Sequence, residues 1–327
     1  MAGKPAQERG RWPQDEEFRS QGCDHANALI RNMPPLPELL PIRVRRVKQM
    51  PMLTFSRISG VVLFGLVACL PGRIGAFEGA DGASVEKAPP QTFATPRAAL
   101  QAGLEGFRSG NASSAIEALK YAAAGGELLA QWKLAKIYAN GDGVPRDDIK
   151  AYDYFSQIVT NYDEDDPNRR DRAVVSSALV SLGNYTLNGI ANSKVRADPQ
   201  RALQMFQFAA TTFGDANAQY NLARMLLEGA GVDKDGREAV RWLFLAADKG
   251  HLQAEALLGQ TLFTGREGVR PQRALGLMWL TLAREAAIDS KKDKWIIDLY
   301  DQAVASANDG DRQDALAFLE DHLKRRN

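Results

Sequence analysis

The stretch Gly214-Asp-Ala-Asn-Ala-Gln-Tyr-Asn-Leu-Ala-Arg-Met-Leu-Leu-Glu-Gly-Ala-Gly-Val232, followed by Ala239-Val-Arg-Trp-Leu-Phe-Leu-Ala-Ala-Asp-Lys-Gly250, decides the fold. After Ala218, the apolar residues Tyr220, Leu222, Met225 and Leu226 recur at helical spacing, which predicts a first helix. Gly229 and Gly231 stop it. Glycine there relieves the steric cost of a left-handed backbone, and Val232 can tuck back onto the core. A second helix then carries Ala239, Trp242, Ala246 and Ala247 up to Gly250. The small residues let two antiparallel helices approach closely, while the large ones fill the gap between successive pairs.

The phrase recurs along the chain. Gly126-Glu-Leu-Leu-Ala130-Gln and Gly250-His-Leu-Gln-Ala254-Glu repeat Gly214-Asp-Ala-Asn-Ala218-Gln, and Gly214 and Gly250 lie 36 residues apart. Trp132, Leu134, Ile137 and Tyr138 follow Ala130; Leu257, Leu258 and Leu262 follow Ala254. Eleven residues after each of these alanines stands a glycine, Gly141, Gly229 or Gly265, and the turns continue through Gly143-Val144, Gly231-Val232 and Gly268-Val269. Second helices are expected to carry Ala151 with Tyr154, Ala239 with Trp242, and Ala274 with Leu277. The small pairs Ala122-Ala123, Ala209-Ala210 and Ala246-Ala247 close units before Gly126, Gly214 and Gly250. Three matches at fixed offsets argue against a merely alanine-rich bundle.

This pattern resembles the Sel-one-like repeat, a relative of the tetratricopeptide repeat. Residues 216–250 match it best, through Ala218, Leu222, Gly229, Gly231, Val232, Ala239, Trp242, Ala246, Ala247 and Gly250. The resemblance implies an all-α fold, a right-handed α-solenoid of antiparallel helix pairs, with about five units between residues 97 and 287. The unit near 168–214 is stretched. Its turn runs Asn188-Gly-Ile-Ala-Asn-Ser-Lys-Val-Arg-Ala-Asp198 and lacks Gly-x-Gly-Val. Residues 288–327 are expected to form capping helices, one lined by Trp295, Ile296, Leu299, Tyr300, Ala303 and Val304, the next by Ala315, Leu316, Phe318, Leu319 and Leu323. Solenoid ends need such cover, because the last repeat otherwise leaves an apolar face in water.

The N-terminal third reads differently. Arg57, the apolar run Val61 to Leu70 and the small-residue exit Ile74-Gly-Ala76 have the layout of a secretory signal peptide over 50–76, with cleavage after Ala76 and export to the periplasm. The run is short of the roughly 20 residues a bilayer span needs. A buried core helix is the bland alternative, opposed by Gly60, Gly65, Pro71 and Gly72. Leu66-Val-Ala-Cys69 also looks like a lipobox, in which Cys69 would be acylated. Residues 1–49 show no period and are expected to be disordered or a mis-assigned extension, with translation starting at Met50 or Met52; the alternative is an extended basic n-region. Residues 77–96 read as a flexible linker.

Composition sets limits on function. The chain of 327 residues has formal charge +1, yet residues 1–76 hold eleven Lys/Arg against six Asp/Glu, leaving thirty basic and thirty-four acidic side chains, about −4, beyond. A mildly acidic body is unsuited to nucleic acid. Both cysteines, Cys23 and Cys69, precede residue 77, so the exported part carries no thiol or disulfide. His251 and His322 read as solvated turn or helix-end residues. The acidic run Asp163-Glu-Asp-Asp166 could hold Ca²⁺, but the glycine and glutamate positions of an EF-hand do not fit, and a solvated loop is favoured. Gly141-Asp-Gly143 has no following Gly-Lys-Ser/Thr and is no phosphate loop. No catalytic, cofactor-binding or metal site is assigned, and no cofactor is expected. What remains is surface: Gln131, Lys133, Asn221 and Arg224 are polar positions beside the packed ones on first helices, candidates for a groove that grips a peptide or domain.

Within the repeat family, the chain is similar to the periplasmic negative regulators of exopolysaccharide production of alphaproteobacteria. The likeness is carried by the signal peptide ending before Phe77-Glu78, Phe107-Arg-Ser-Gly110, Trp132-Lys-Leu-Ala-Lys-Ile-Tyr-Ala-Asn-Gly-Asp-Gly-Val144, Ala209 through Leu227, and the spacing of the stretched unit. It implies a non-enzymatic regulator that binds the periplasmic domain of a membrane sensor histidine kinase. While bound it would hold the kinase off, repressing exopolysaccharide synthesis. It implies no contact residues. Membrane contact would then come only through the partner, unless Cys69 is acylated. The alternatives are an envelope adaptor that organises other envelope proteins and, weakest, an enzyme acting on cell-wall compounds.

Overall fold

The computed structural model describes residues 93–162, 169–289 and 291–326. The expected signal peptide, Cys23, Cys69, most of the linker and the acidic run at 163–166 lie outside them. Among the described residues all regular structure is helical. Helices α1 (Pro96–Arg108) and α2 (Ala112–Ala124) are followed by α3 (Leu128–Asn140) and α4 (Asp148–Thr160). Next come α5 (Arg169–Asn188) and α6 (Pro199–Phe208), the latter running into a π-helical turn, Ala209–Phe213. Then follow α7 (Ala216–Glu228), α8 (Gly236–Ala247), α9 (Leu252–Thr264) and α10 (Arg273–Ala286), and lastly α11 (Lys294–Ser306) and α12 (Asp309–Arg326).

The first ten helices pack as five successive hairpins, each against its own partner and its neighbours in the chain. This is the expected solenoid of helix pairs. Local chemistry sets the boundaries. The carboxylates of Asp147, Asp198, Asp215 and Asp235 each accept a hydrogen bond from the backbone N–H three residues on, at 2.9–3.0 Å. Each such cap contributes about 1 kcal/mol. At the other end Gly141, Gly229 and Gly265 have φ of +81°, +75° and +71°, the left-handed terminus read from the sequence. After Gly229 the chain returns at once, because Asp235 N donates to Leu226 O at 3.0 Å.

Counting from the caps of the second helices fixes the repeat register. The fourth residue after Asp147, Asp198, Asp235 and Gln272 is Ala151, Ala202, Ala239 and Gly276; the seventh is Tyr154, Met205, Trp242 and Trp279. The expectation that Ala274 and Leu277 hold these places in the fifth unit is corrected. The turn from Gly265 to Gln272 is one residue longer than that from Gly229 to Asp235, which moves the register on. Ala274 is only half-buried, and Leu277, though buried, is not Trp242's equivalent. The close approach falls to Gly276, where a Cβ would stand 2.5 Å from the backbone nitrogen of Phe263. Gly259 faces it across the crossing, since a Cβ there would be 2.8 Å from Gly276 O. The inserted turn also puts Glu267, a non-glycine, at φ +50°.

The third unit departs twice. Its turn from Gly189 to Asp198 has three residues more than the regular one, with Asn192 at φ +56°. Its second helix carries one residue more between Ala210 and Gly214 than the fourth unit has between Ala247 and Gly250. The π turn at Ala209–Phe213 absorbs that residue. Arg172 fixes it, donating to Thr212 O at 2.9 Å and lying 4.9 Å over the Phe213 ring.

The last two helices cover the fifth unit, α11 against α9 and α10 and α12 against α10. Ile296, Ala303 and Ala315 are buried as expected. Trp295, Leu316 and Leu323 are not: each is exposed, because α11 and α12 seat a narrower stripe than their apolar content suggested. His322 is also corrected. It is buried, its ring edge-on to Trp279 at 5.1 Å, and so belongs to the cap's core rather than to solvent. Trp279 is 1% exposed and also meets Phe244 edge-on, at 5.7 Å.

Candidate interaction surface

Of the four polar positions expected to line a groove, two are structural. Gln131 is buried and its Nε2 donates to Ala123 O at 3.3 Å, on the preceding helix. Gln219, the same place in the fourth unit, is buried likewise and reaches Ala210 O at 3.5 Å. A strut to a helix-end carbonyl is worth more to the fold than to a ligand, since buried carbonyls need partners. Asn221 is buried too, bonded to its own helix at Asn217 O, 2.9 Å away. The expectation that Gln131 and Asn221 offer free polar surface is therefore corrected. Its signal was available: Gln follows the repeated alanine in two units, a spacing that surface residues have no reason to keep.

Lys133 and Arg224 remain partly exposed, each beside an aromatic ring of its own helix. Lys133 Nζ lies 5.4 Å from the Trp132 ring, and the Arg224 guanidinium 5.9 Å from Tyr220 while pairing with Glu228 at 3.1 Å. Trp132 and Tyr220 occupy equivalent positions, so the second and fourth units each set a cation beside that ring, Lys133 from the next residue and Arg224 from one turn on.

Polar bonds tie successive units together beside these residues. Trp132 Nε1 donates to Ser177 Oγ at 2.9 Å, Ser176 to Asp215 at 2.7 Å, and Lys249 to Gly214 O at 2.7 Å, while also holding Gln219 Oε1 of its own unit at 2.9 Å. His251 joins the fourth and fifth units. Its Nδ1 accepts from Ala254 N at 3.2 Å as the cap of α9, its Nε2 stands 3.2 Å from Asn217 Oδ1, and its ring stacks on Tyr220 at 5.0 Å. The cap needs a bare Nδ1, and burial holds the imidazole below its ordinary pKa, outweighing its own backbone bond and Asp215, which raise it. His251 is thus a helix-end residue, as expected, but only partly solvated.

Between the second and third units, Tyr185 OH donates to Asp148 Oδ1 at 2.9 Å, and Arg146 binds the same carboxylate through two bonds of 3.0 Å. Burial and this bond push the Tyr185 phenol up to about 12, so it stays a neutral donor. Among the described residues no group of three or more His, Cys, Asp or Glu is placed to hold a metal ion. No described helix is long and apolar enough to cross a membrane.

The Sel1 repeat family matches residues 128–159, 176–211, 216–251 and 252–287, four of the five hairpins. The chain is 38% identical over 252 residues to the exopolysaccharide production negative regulator of Rhizobium leguminosarum bv. viciae, covering 76% of this chain and 88% of that one. It is 36% identical over 262 residues to the protein of the same name from Rhizobium meliloti (strain 1021), covering 80% and 91%. Among solved structures it is similar to a Sel1 repeat protein from Oxalobacter formigenes, with TM-score 0.47 and 22% identity over 59% of this chain and 72% of that one. A protective antigen of uropathogenic Escherichia coli with an SLR fold aligns with TM-score 0.45 and 19% identity, over 70% and 53%.

Proposed function

From the premise that the chain belongs to the Sel1-repeat family of exopolysaccharide production negative regulators, we propose that it is a non-enzymatic periplasmic regulator acting by protein–protein contact. Its partner in this reading is the periplasmic domain of a membrane sensor histidine kinase. Bound, the repeat protein holds the kinase in its inactive state and exopolysaccharide synthesis stays low. Lost or cleaved, it releases the kinase. The observation that carries the reading is the similarity to two such regulators over about nine-tenths of their length. Helix pairs with polar and aromatic side chains along their first helices support it, as a scaffold of this kind recognises partners by shape and charge.

Export rests on the Arg57-to-Ala76 segment, and the mature protein in this reading begins at Phe77. Capture of purified kinase sensor domain by the tagged full chain tests the partner; absence of capture at micromolar concentrations sinks it. A deletion strain should overproduce polysaccharide and swim poorly, and unchanged behaviour counts against a regulatory role. One sequence observation favours a second reading, an envelope adaptor anchored through acylated Cys69: the tetrapeptide Leu66-Val-Ala-Cys69. Mass spectrometry of the mature N-terminus separates free Phe77 from lipidated Cys69.

A further inference from the structure

The stretched turn of the third unit is ordered by its own bonds rather than left slack. Ile190 N donates to Val195 O, Ser193 Oγ to Ile190 O, and Val195 N to Ser193 Oγ, each at 2.9 Å. Asp198 N closes the turn on Thr186 O at 2.7 Å. The longer turn folded this way borders an open depression of about 520 Å³, floored by Tyr152, Thr186 and Val195 and rimmed by Lys194, Arg196 and Arg201.

Its local charge is opposite in sign to the net charge of the chain beyond residue 76. Residues 191–201 carry three cations and one carboxylate, on a body that is net acidic beyond residue 76. Asp198 is already engaged as the cap of α6, accepting from Arg201 N at 3.0 Å. Asp148, near the depression through Tyr185, is taken by Arg146 and that phenol. Among the described residues none of Lys194, Arg196 and Arg201 forms an ion pair, and all three are exposed. Tyr152, set edge-on to Tyr185 at 6.4 Å, adds an aromatic face at the floor. Three unpaired cations around a shallow, partly apolar hollow complement carboxylates on an extended chain.

We propose that this depression docks an acidic segment, two or more Asp or Glu beside an apolar side chain, on the protein that this chain binds. The inference rests on the reading that the chain acts by binding another protein, and it assigns the part of the surface that steers that partner in. Charged rims mainly set encounter rate and register, so binding there should weaken as salt screens it.

The test titrates the full chain into a short fluorescein-labelled peptide of alternating Asp and Glu, with a Ser peptide of equal length as control, and reads anisotropy. Saturable binding of the acidic peptide alone is expected, weakened about tenfold or more by the combined Lys194→Glu, Arg196→Glu, Arg201→Glu variant. The exposed positions should leave the melting curve unchanged; if the triple variant unfolds, Lys194→Ala with Arg196→Ala serves instead. Lack of saturable binding, or equal binding by the variant, overturns the proposal. So does tighter binding of an oligogalacturonate, which would make the site one for acidic saccharide, or full competition by millimolar inorganic phosphate. Kinase sensor domain captured equally by wild type and variant sinks this inference and spares the proposed function. Charge-dependent peptide binding without sensor capture does the reverse.

Discussion

The fourth and third units are built from the same helical hairpin, yet only one follows the repeat to the residue. In the fourth, five residues separate Gly229 from Asp235, and Ala239, Trp242, Ala246 and Ala247 are all buried. In the third, the turn is three residues longer, the second helix ends in a π turn, and Met205 stands where tryptophan does. The buried alanines survive in both: Ala202, Ala209 and Ala210 match Ala239, Ala246 and Ala247. Packing between helices therefore keeps a small residue at the close crossing, alanine here and Gly276 in the fifth unit, while the ends of the hairpin are free to grow. The additions are where surface chemistry collects.

The comparison can be broken first at the core. Trp242→Ala and Trp279→Ala, each removing a buried indole, should cost about 3–5 kcal/mol and take neighbouring units with them. An unchanged urea midpoint for either would show that it lies outside the inter-repeat core. Next comes the crossing itself. Gly276→Val drives methyl groups into the Phe263 backbone and should cost about 1–3 kcal/mol, whereas Gly268→Ala, with open space around it, meets only the strain of φ +79°, on the order of 1 kcal/mol. If the two melt alike, close approach is not what selects glycine at 276.

Smaller effects sharpen the contrast at the seams. The His251 imidazole is held below its ordinary pKa when folded, so the unfolded chain takes up a proton first as pH falls through the mid-6 range. Its stabilising share is present above that range and is lost on acidification. His251→Asp keeps an acceptor at the cap and should flatten the fall in melting temperature between neutral pH and pH 5. A slope as steep as wild type would exclude His251 as its source. Smallest of all, Lys194→Ala should alter stability by no more than about 0.5 kcal/mol, because the side chain is exposed and holds nothing in place. A larger change in calorimetry would mean the stretched turn braces the fold.

How far the sequence reveals all this follows from the same contrast. The glycine termini at Gly141, Gly229 and Gly265, the buried alanine column and the five hairpins were legible, because backbone conformation and close approach leave few residue choices. The fifth unit's register was not: one inserted residue in its turn moves the packing from Ala274 and Leu277 to Gly276 and Trp279, and spacing counted from Gly265 misses it. Gln131 and Asn221 were misplaced because polarity signals surface until the carbonyl partner is seen. His322 and the exposed Leu316 and Leu323 depend on how α12 rotates onto α10, which no local period states. The cationic depression was half visible. Its residues lie in the turn singled out as irregular, but only folding brings Tyr152 beneath them.

The cross-unit bonds described above share a reach: Trp132 to Ser177, Ser176 to Asp215 and His251 to Asn217 each link residues 34–45 apart in the chain, and Arg273 Nε, bonded to Asp311 at 2.8 Å, ties the fifth unit to the cap over 38 residues. Assembly can thus proceed by short loop closures, which favours fast folding. Pulled from its two ends, such a stack should lengthen in a staircase of small steps, one hairpin after another, rather than give way at a single force.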